Sequence, residues 1–476
     1  MKKLIALLLA VLMVLSLVAC AAKTEEPAPE EPATEEKEEP AAEEPAEEPA
    51  EEPAEEEPAE EEPAAENNGA AGSVYYLNFK PEADAAWQTL AESYTAQTGV
   101  PVKVVTAASG DYDTTLNAQM GKDGAPTLFN CGNDAALDNW DSYCLDLTGT
   151  DFANELSTDS FNLYNEAGEL KAAGYCYESF GIIVNTALLA EAGYSLDDIT
   201  DFDSLKTVAE DIHARAAELG FDAFTASGLD GSSSWRFSGH LANMPLYYEF
   251  RDDNVTEQPA EITGAYMDNF RDIWDLYINN AAADPASLTS STGDEAEAQF
   301  GKGEAVFYQN GSWEYSNLVL SDELGYKMNA ADLAMIPIYC GVDGEADAGL
   351  CSGTENCWAV NAQASEEDIQ ATLDFMYWVV TSEEGTAMLA EQFGSVPFKS
   401  AVAPENVFCA NANDLVNAGK YTVSWAFNYT PNVDSWRAGV VTALAAYSAD
   451  QSDANWENVV SACVDGWAIE YATVNG

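Results

Sequence analysis

"VYYLNFKPEADAAWQTLAESYTAQTGVPVKVV" runs from Val74 to Val105 and holds a strand, a helix and a second strand. Val74-Tyr75-Tyr76-Leu77 is a β-branched and aromatic run of the kind that forms strands. Asp84 then stands where a helix N-cap belongs, and Trp87, Leu90, Ala91 and Tyr94 follow at i, i+3, i+4 and i+7, one apolar face. Gly99 ends the helix because glycine accepts the left-handed conformation of a C-terminal stop. Pro101-Val102-Lys103-Val104-Val105 alternates as the next strand. A strand, a crossover helix and a strand predict parallel pairing and an α/β fold.

The same pattern returns along the chain. "GIIVNTALLAEAG" (Gly181–Gly193) reads as strand and helix, and "TDFDSLKTVAEDIHARAAELG" (Thr200–Gly220) as a helix with Leu205, Val208, Ala209 and Ile212 on one face and Gly220 closing it. Ser365 with Asp368 predicts a capping box for a helix bearing Ile369, Leu373 and Met376. At 476 residues the chain exceeds one ordinary core, so two packed α/β lobes are expected, with the chain crossing between them more than once.

The N-terminal part is of a different kind. Lys2 and Lys3 precede an aliphatic run, Leu4 to Val18, too short for a stable membrane span, which reads as a secretory signal over residues 1–19. Leu17-Val18-Ala19-Cys20 resembles the bacterial lipobox, which implies a diacylglycerol on the Cys20 thiol and cleavage just before it. Residues 20–72 carry that cysteine and an imperfect Glu-Glu-Pro-Ala repeat with almost nothing to bury, so a disordered, extended stalk is expected. At ~3.1 Å per residue, such a stalk spans on the order of 100 Å.

Charge excludes some functions. Residues 21–66 hold 21 Glu against Lys23 and Lys37, and −48 of the formal −65 lies on residues 67–476. Such a surface repels nucleic acid and anionic headgroups, so neither is expected as a partner, whereas a cationic ligand would be attracted. Eight cysteines follow Cys20; Cys351 and Cys357 could close a short disulfide loop, while buried small hydrophobe is the reading for most. None forms a CxxC pair, no Cys/His spacing suits zinc, and no metal or cofactor is expected. The two histidines, His213 and His240, have no partner that spacing identifies. Without a GxSxG elbow, HExxH pair, Walker loop or GxGxxG, no catalytic residue stands out and binding is favoured over catalysis.

One tract carries a family resemblance. "FGKGEAVFYQNGSWEYSNL" (Phe300–Leu318) is similar to the family 1 extracellular solute-binding proteins of ABC importers, the group that contains maltose-binding protein. Phe300, Gly301, Lys302, Gly303, Glu304 and Ala305, then Asn310, Gly311 and Trp313, match in order. "LAESYTAQTGVPVKVV" resembles the family's first helix and second strand, "ESFGIIVNTALLAEAG" its crossing into the second lobe, and "YWVVTSEEGTAMLAEQFGSVPFKS" its late helices and loop. The resemblance implies two Rossmann-like α/β lobes joined by a hinge (a class II periplasmic-binding-protein-like fold) over residues 73–476. It puts lobe 1 at about 73–180 and 340–397 and lobe 2 at about 181–339 and 398–476.

The resemblance also implies site residues. Trp313 aligns with an aromatic that stacks on a sugar, Trp436 in "VDSWRAGV" looks like a second, and Trp235 in "SSSWRFSG" falls where a further aromatic is common. Glu178 matches an acid that accepts sugar hydroxyls. The first-lobe loop "APTLFNCGNDAAL" departs from the maltose-binding pattern, so maltose is not expected; Asn130, Lys80 and Glu82 are the polar candidates from that lobe. The chemistry stands on its own: an aromatic face offers apolar area to the C–H side of a sugar, and a carboxylate accepts hydroxyl hydrogen bonds.

The expected protein is therefore a non-enzymatic, monomeric receptor, lipid-anchored on the extracytoplasmic face of the membrane. It would pass a saccharide, most simply an oligosaccharide, to the permease of an ABC importer. A polyamine or other cation receptor and a surface glycan-degrading enzyme remain open as alternatives, with an adhesive surface protein behind them.

Overall fold

The computed structural model describes residues 72–108, 111–321 and 324–476. The signal, Cys20 and nearly all of the stalk lie outside the described residues. Among these, the strands are β1 Val74–Asn78, β2 Val102–Thr106, β3 Leu128–Asn130, β4 Asn162–Tyr164, β5 Leu170–Gly174, β6 Glu178–Asn185, β7 Asp222–Phe224, β8 Ala305–Gly311, β9 Leu333–Ile336, β10 Ala348–Gly353, β11 Cys357–Val360 and β12 Tyr421–Ser424. They form two sheets. The first runs β2-β1-β3-β11-β5-β4, the second β12-β10-β6-β8-β7, with β9 also on β6.

The opening stretch folds as its pattern predicts. β1 pairs in parallel with β2 from Val74↔Val102 to Asn78↔Thr106, and α1 (Asp84–Thr98) connects them. Trp87, Leu90, Ala91 and Tyr94 are its buried face, and Gly99 stops it at φ 78°. Asp84 is not the cap: α1 follows directly on a 3-10 turn, and the Asp84 carboxylate instead accepts from the Thr106 hydroxyl of β2. The sheets are mixed rather than parallel. β3–β11, β11–β5 and β5–β4 are antiparallel, as are β6–β8, β6–β9 and β6–β10.

Each sheet is covered on both faces. Against the first lie Trp87 of α1 and Phe375, Met376 and Val379 of a helix at Glu366–Thr381, with Tyr76, Tyr175 and Trp358 between them. Tyr175 stacks on Trp358 at 4.4 Å. That helix starts on Ser365, whose hydroxyl accepts from the Asp368 amide at 3.1 Å; the Asp368 carboxylate takes Ser365 Oγ and the Ser73 amide, so the reciprocal half of the box is spent on tying down the start of β1. The second core gathers Leu205, Val208, Ala209 and Ile212 with Phe307, Trp274 and Trp467.

Chain crossings follow from sheet membership. The first is at residues 175–177, between β5 and β6, and the second at 354–356, between β10 and β11. β10, expected in the first lobe, belongs to the second because it pairs with β6 and β12. The second crossing is thus displaced from about 340 to Thr354–Asn356. A third follows Phe398, which packs in the first core, and precedes Phe408, which packs against the second sheet in a separate cluster with Ile183, Tyr308 and Leu350. The first two crossings lie side by side: the Tyr175 amide donates to the Asn356 carbonyl at 2.9 Å and Thr354 Oγ1 to the Cys176 carbonyl at 2.7 Å. A Cys351–Cys357 loop is not formed. Cys351 sits in the second lobe's core and Cys357 in the first lobe's, and all eight described cysteines are free and buried.

Candidate functional site

A cavity of about 1570 Å³ opens between the lobes. Six of the seven expected ligand residues line it: Lys80, Glu82, Asn130, Glu178, Trp235 and Trp313. Four of them are placed by strand ends, while Glu82 sits in the 3-10 turn Pro81–Ala83 and Trp235 just before the turn Arg236–Leu241. Lys80 follows β1, Asn130 closes β3, Glu178 opens β6, and Trp313 follows β8.

Glycine at 311 is dictated by Trp313. A Cβ there would stand 2.2 Å from the Trp313 ring, so the indole lies directly over the glycine backbone. Trp235 approaches Trp313 at 6.0 Å between centroids, and its Nε1 donates to the Ser232 carbonyl at 2.8 Å. Both tryptophans lead into π-helical turns, Arg236–Leu241 and Ser316–Leu320, closed by i to i+5 bonds from the Ala242 and Ser321 amides. Such turns are rare and concentrate at functional sites.

Charges at the floor are paired. The Lys80 ammonium meets Glu178 Oε1 at 2.8 Å and Glu82 Oε1 at 2.9 Å, and lies 5.3 Å from the Trp313 ring centre. Burial alone would favour the neutral amine, but the two carboxylates outweigh it and hold the ammonium charged, its pKa raised. The second Glu178 oxygen accepts from Asn356 Nδ2 at 2.7 Å. Glu178 is thus a fixed counter-ion at the first crossing, with both oxygens engaged. Asn130 is engaged as well: its amide donates to the Glu355 carbonyl at 2.9 Å and its oxygen accepts from the Cys357 amide at 3.0 Å.

Trp436 lies elsewhere, which corrects the expectation for it. Its side chain is 2% exposed, its Nε1 donates to the Cys463 carbonyl at 2.9 Å, and its ring meets Trp467 edge-on at 6.0 Å. On the helix Val433–Ala449, 436 faces the neighbouring helix Asp453–Asn475, and the next residue, Arg437, lines the cleft instead. Arg437 lies over the Phe427 ring at 5.2 Å and 4.0 Å from Glu355. Burial raises the Glu355 pKa, with Arg437 opposing. Across the cleft from the same helix, Asp113 is raised by its enclosed setting and then by the Asp434 carboxylate.

Several lining residues escaped sequence reasoning: Tyr112, Trp140, His240, Glu355, Trp425 and Arg437. No local pattern marks them. Trp425 abuts Gly353 of β10, where a Cβ would stand 2.6 Å from the indole, a contact 72 positions apart in the chain. Among the described residues no group of three or more His, Cys, Asp or Glu is arranged to hold a metal, and no helix is long and apolar enough to cross a membrane.

Comparison with known proteins agrees with this arrangement. RafE in complex with raffinose superposes at a TM-score of 0.66 with 14% identity, covering 84% of this chain and 99% of that one. The GacH receptor of Streptomyces glaucescens, solved unliganded and with acarbose, gives 0.63 at 19% identity over the same shares. A sugar transporter protein from Bacillus licheniformis in complex with stachyose gives 0.61 at 13%, again over 84% and 99%. No curated protein matches the chain. Residues 89–417 match the profile of the bacterial extracellular solute-binding proteins, and the chain belongs to that family.

Proposed function

We propose that this protein binds an uncharged oligosaccharide in the interlobe cleft and delivers it, unaltered, to the permease of an ABC importer. The observation that carries this reading is the pairing of charge within an aromatic cleft. Lys80 is spent on Glu178 and Glu82, while Trp235 and Trp313 offer ring faces. A neutral polyol with apolar C–H faces suits such walls, and the cavity exceeds the roughly 300–1,000 Å³ of a drug-sized site, leaving room for several rings. Structural neighbours holding raffinose and stachyose are consistent with this chemistry.

A cation receptor is the second reading, favoured by Asp113, Asp134, Asp138 and Asp434 along the cleft. A thermal-shift screen of raffinose, stachyose, maltotriose, diacetylchitobiose and spermidine separates the two, since a ligand bound only by the native state raises the melting temperature. A shift with a saccharide that calorimetry then confirms supports the proposal, and a shift with spermidine alone overturns it. Recovery of the saccharide intact argues for transport; cleaved product would place the protein among glycan-degrading enzymes.

The proposal includes attachment through lipid on Cys20, with the acidic stalk carrying a monomeric receptor away from the extracytoplasmic face of the membrane. Two acyl chains suffice for stable anchoring where one does not. Cys20→Ala is expected to release the protein from the membrane fraction or leave its signal uncleaved. Membrane fractionation with mass spectrometry of residue 20 checks this.

A further inference from the structure

His240 is the polar hub of the cleft's aromatic wall. Its ring stacks on Phe180 at 4.1 Å and 5°, and meets Trp235 at 5.0 Å and Trp313 at 5.3 Å. The residue is 4% exposed, yet it lines the cavity, and its Nδ1 is buried with no hydrogen-bond partner. An unsatisfied buried polar atom is uncommon and calls for a physical reason. Neutral imidazole has one N–H donor and one bare acceptor. A proton on Nδ1 would be a buried donor without an acceptor, which is costlier than a bare lone pair. The proton therefore belongs on Nε2, the other nitrogen of a ring that lines the cleft. Burial, with Arg437, Arg236 and Lys80 nearby, holds the ring neutral by lowering its pKa well below the ordinary value. The π-helical turn Arg236–Leu241 sets the ring between the two tryptophans, and Gly239 admits the Arg437 guanidinium, which would lie 2.9 Å from a Cβ there.

We propose that His240 is a specificity-determining residue of the solute site, donating through Nε2–H to an oxygen of a saccharide that rests on the wall formed by Trp235 and Trp313. The inference rests on the saccharide reading above. It makes the wall selective for a ring that carries a hydroxyl or ring oxygen at that place: a deoxy analogue leaves the N–H unpaired, and a cationic amine meets a donor where it needs an acceptor.

Two histidines in the whole chain make the test direct. The full chain, with nitrogen-15 in its histidines, is titrated with whichever of raffinose, stachyose, maltotriose or diacetylchitobiose binds by calorimetry. The expected result is a shift of the His240 Nε2 resonance, with Nδ1 still in the unprotonated range. His213, which pairs with Asp222 at 2.8 Å away from the cleft, stays unmoved as the internal control. His240→Phe keeps the stack on Phe180 and removes the donor; about a five- to ten-fold loss of affinity is expected. His240→Gln restores an N–H at a similar reach and recovers most of that loss. A merely structural histidine would give neither the Nε2 shift nor recovery by glutamine. Saccharide binding with an unmoved His240 signal overturns the inference and leaves the receptor reading standing, and wild-type affinity in His240→Phe does the same. If none of the four saccharides binds the native chain, the receptor reading fails and takes the inference with it. Should both variants unfold, the wild-type resonance decides.

Discussion

Trp313 is where a single residue is expected to decide affinity. Truncating a central aromatic anchor typically costs about 2–4 kcal/mol, so Trp313→Ala should weaken saccharide binding roughly 30- to 1,000-fold by calorimetry. The loss should be the same at 0.1 M and 1 M salt, although the Debye length falls from ~10 Å to ~3 Å, because stacking and short hydrogen bonds are not long-range forces. Trp436→Phe is the contrasting control. Its place between two helices predicts a lower melting temperature with affinity unchanged. His240 adds a pH effect. Its folded pKa lies below the unfolded value of about 6.5, so the unfolded state takes up the proton first as pH falls. The stability it supports is present above about 6.5 and is lost as pH drops toward its folded value. Urea denaturation across that window should show a slope up to about 1.4 kcal/mol per pH unit shallower in His240→Gln than in the wild type. Arg437, Arg236 and Lys80 are the charges facing the ring, and each of them resists its protonation.

At the scale of elements, the Lys80–Glu178 pair joins the loop after β1 to the first residue of β6, so it ties the first lobe to the strand that begins the second. The two side chains are 8% and 5% exposed. Removing one partner strands the other: Lys80→Met should destabilise by about 3–5 kcal/mol in urea denaturation. Lys80→Met with Glu178→Leu should lose less than the two single changes summed, since the buried carboxylate is gone. Here the sequence was legible only in part. Asn310-Gly311-x-Trp313 could be read because its cause is local, a ring lying over the glycine that precedes it by two. Trp436 misled for an equally physical reason. In a helix adjacent residues point about 100° apart, and nothing in "VDSWRAGV" says whether 436 or 437 faces the cleft.

For the whole molecule, the lobes are linked by two crossings side by side at 175–177 and 354–356 and by the third between Phe398 and Phe408. Ligand is expected to draw the lobes together, and small-angle scattering of the full chain should give a smaller radius of gyration with saccharide than without. An unchanged radius with binding confirmed by calorimetry would mean a cleft that takes its solute already closed. The sequence by itself determined the α/β class and the element types around β1 and α1, and it named six residues that the structure places on the wall of the cleft. Each of these follows from periodicity, turn chemistry or a short-range motif matched to its family. Only the tertiary structure decided that β10 belongs to the second lobe, that the sheets are mixed, that Glu178 is occupied by Lys80 and Asn356, and that His240, Trp425 and Arg437 reach the cleft. Those outcomes depend on which distant segments pair, as when Cys351 of β10 settles beside Phe180 of β6, and pairing across 171 positions leaves no trace in the spacing of either segment.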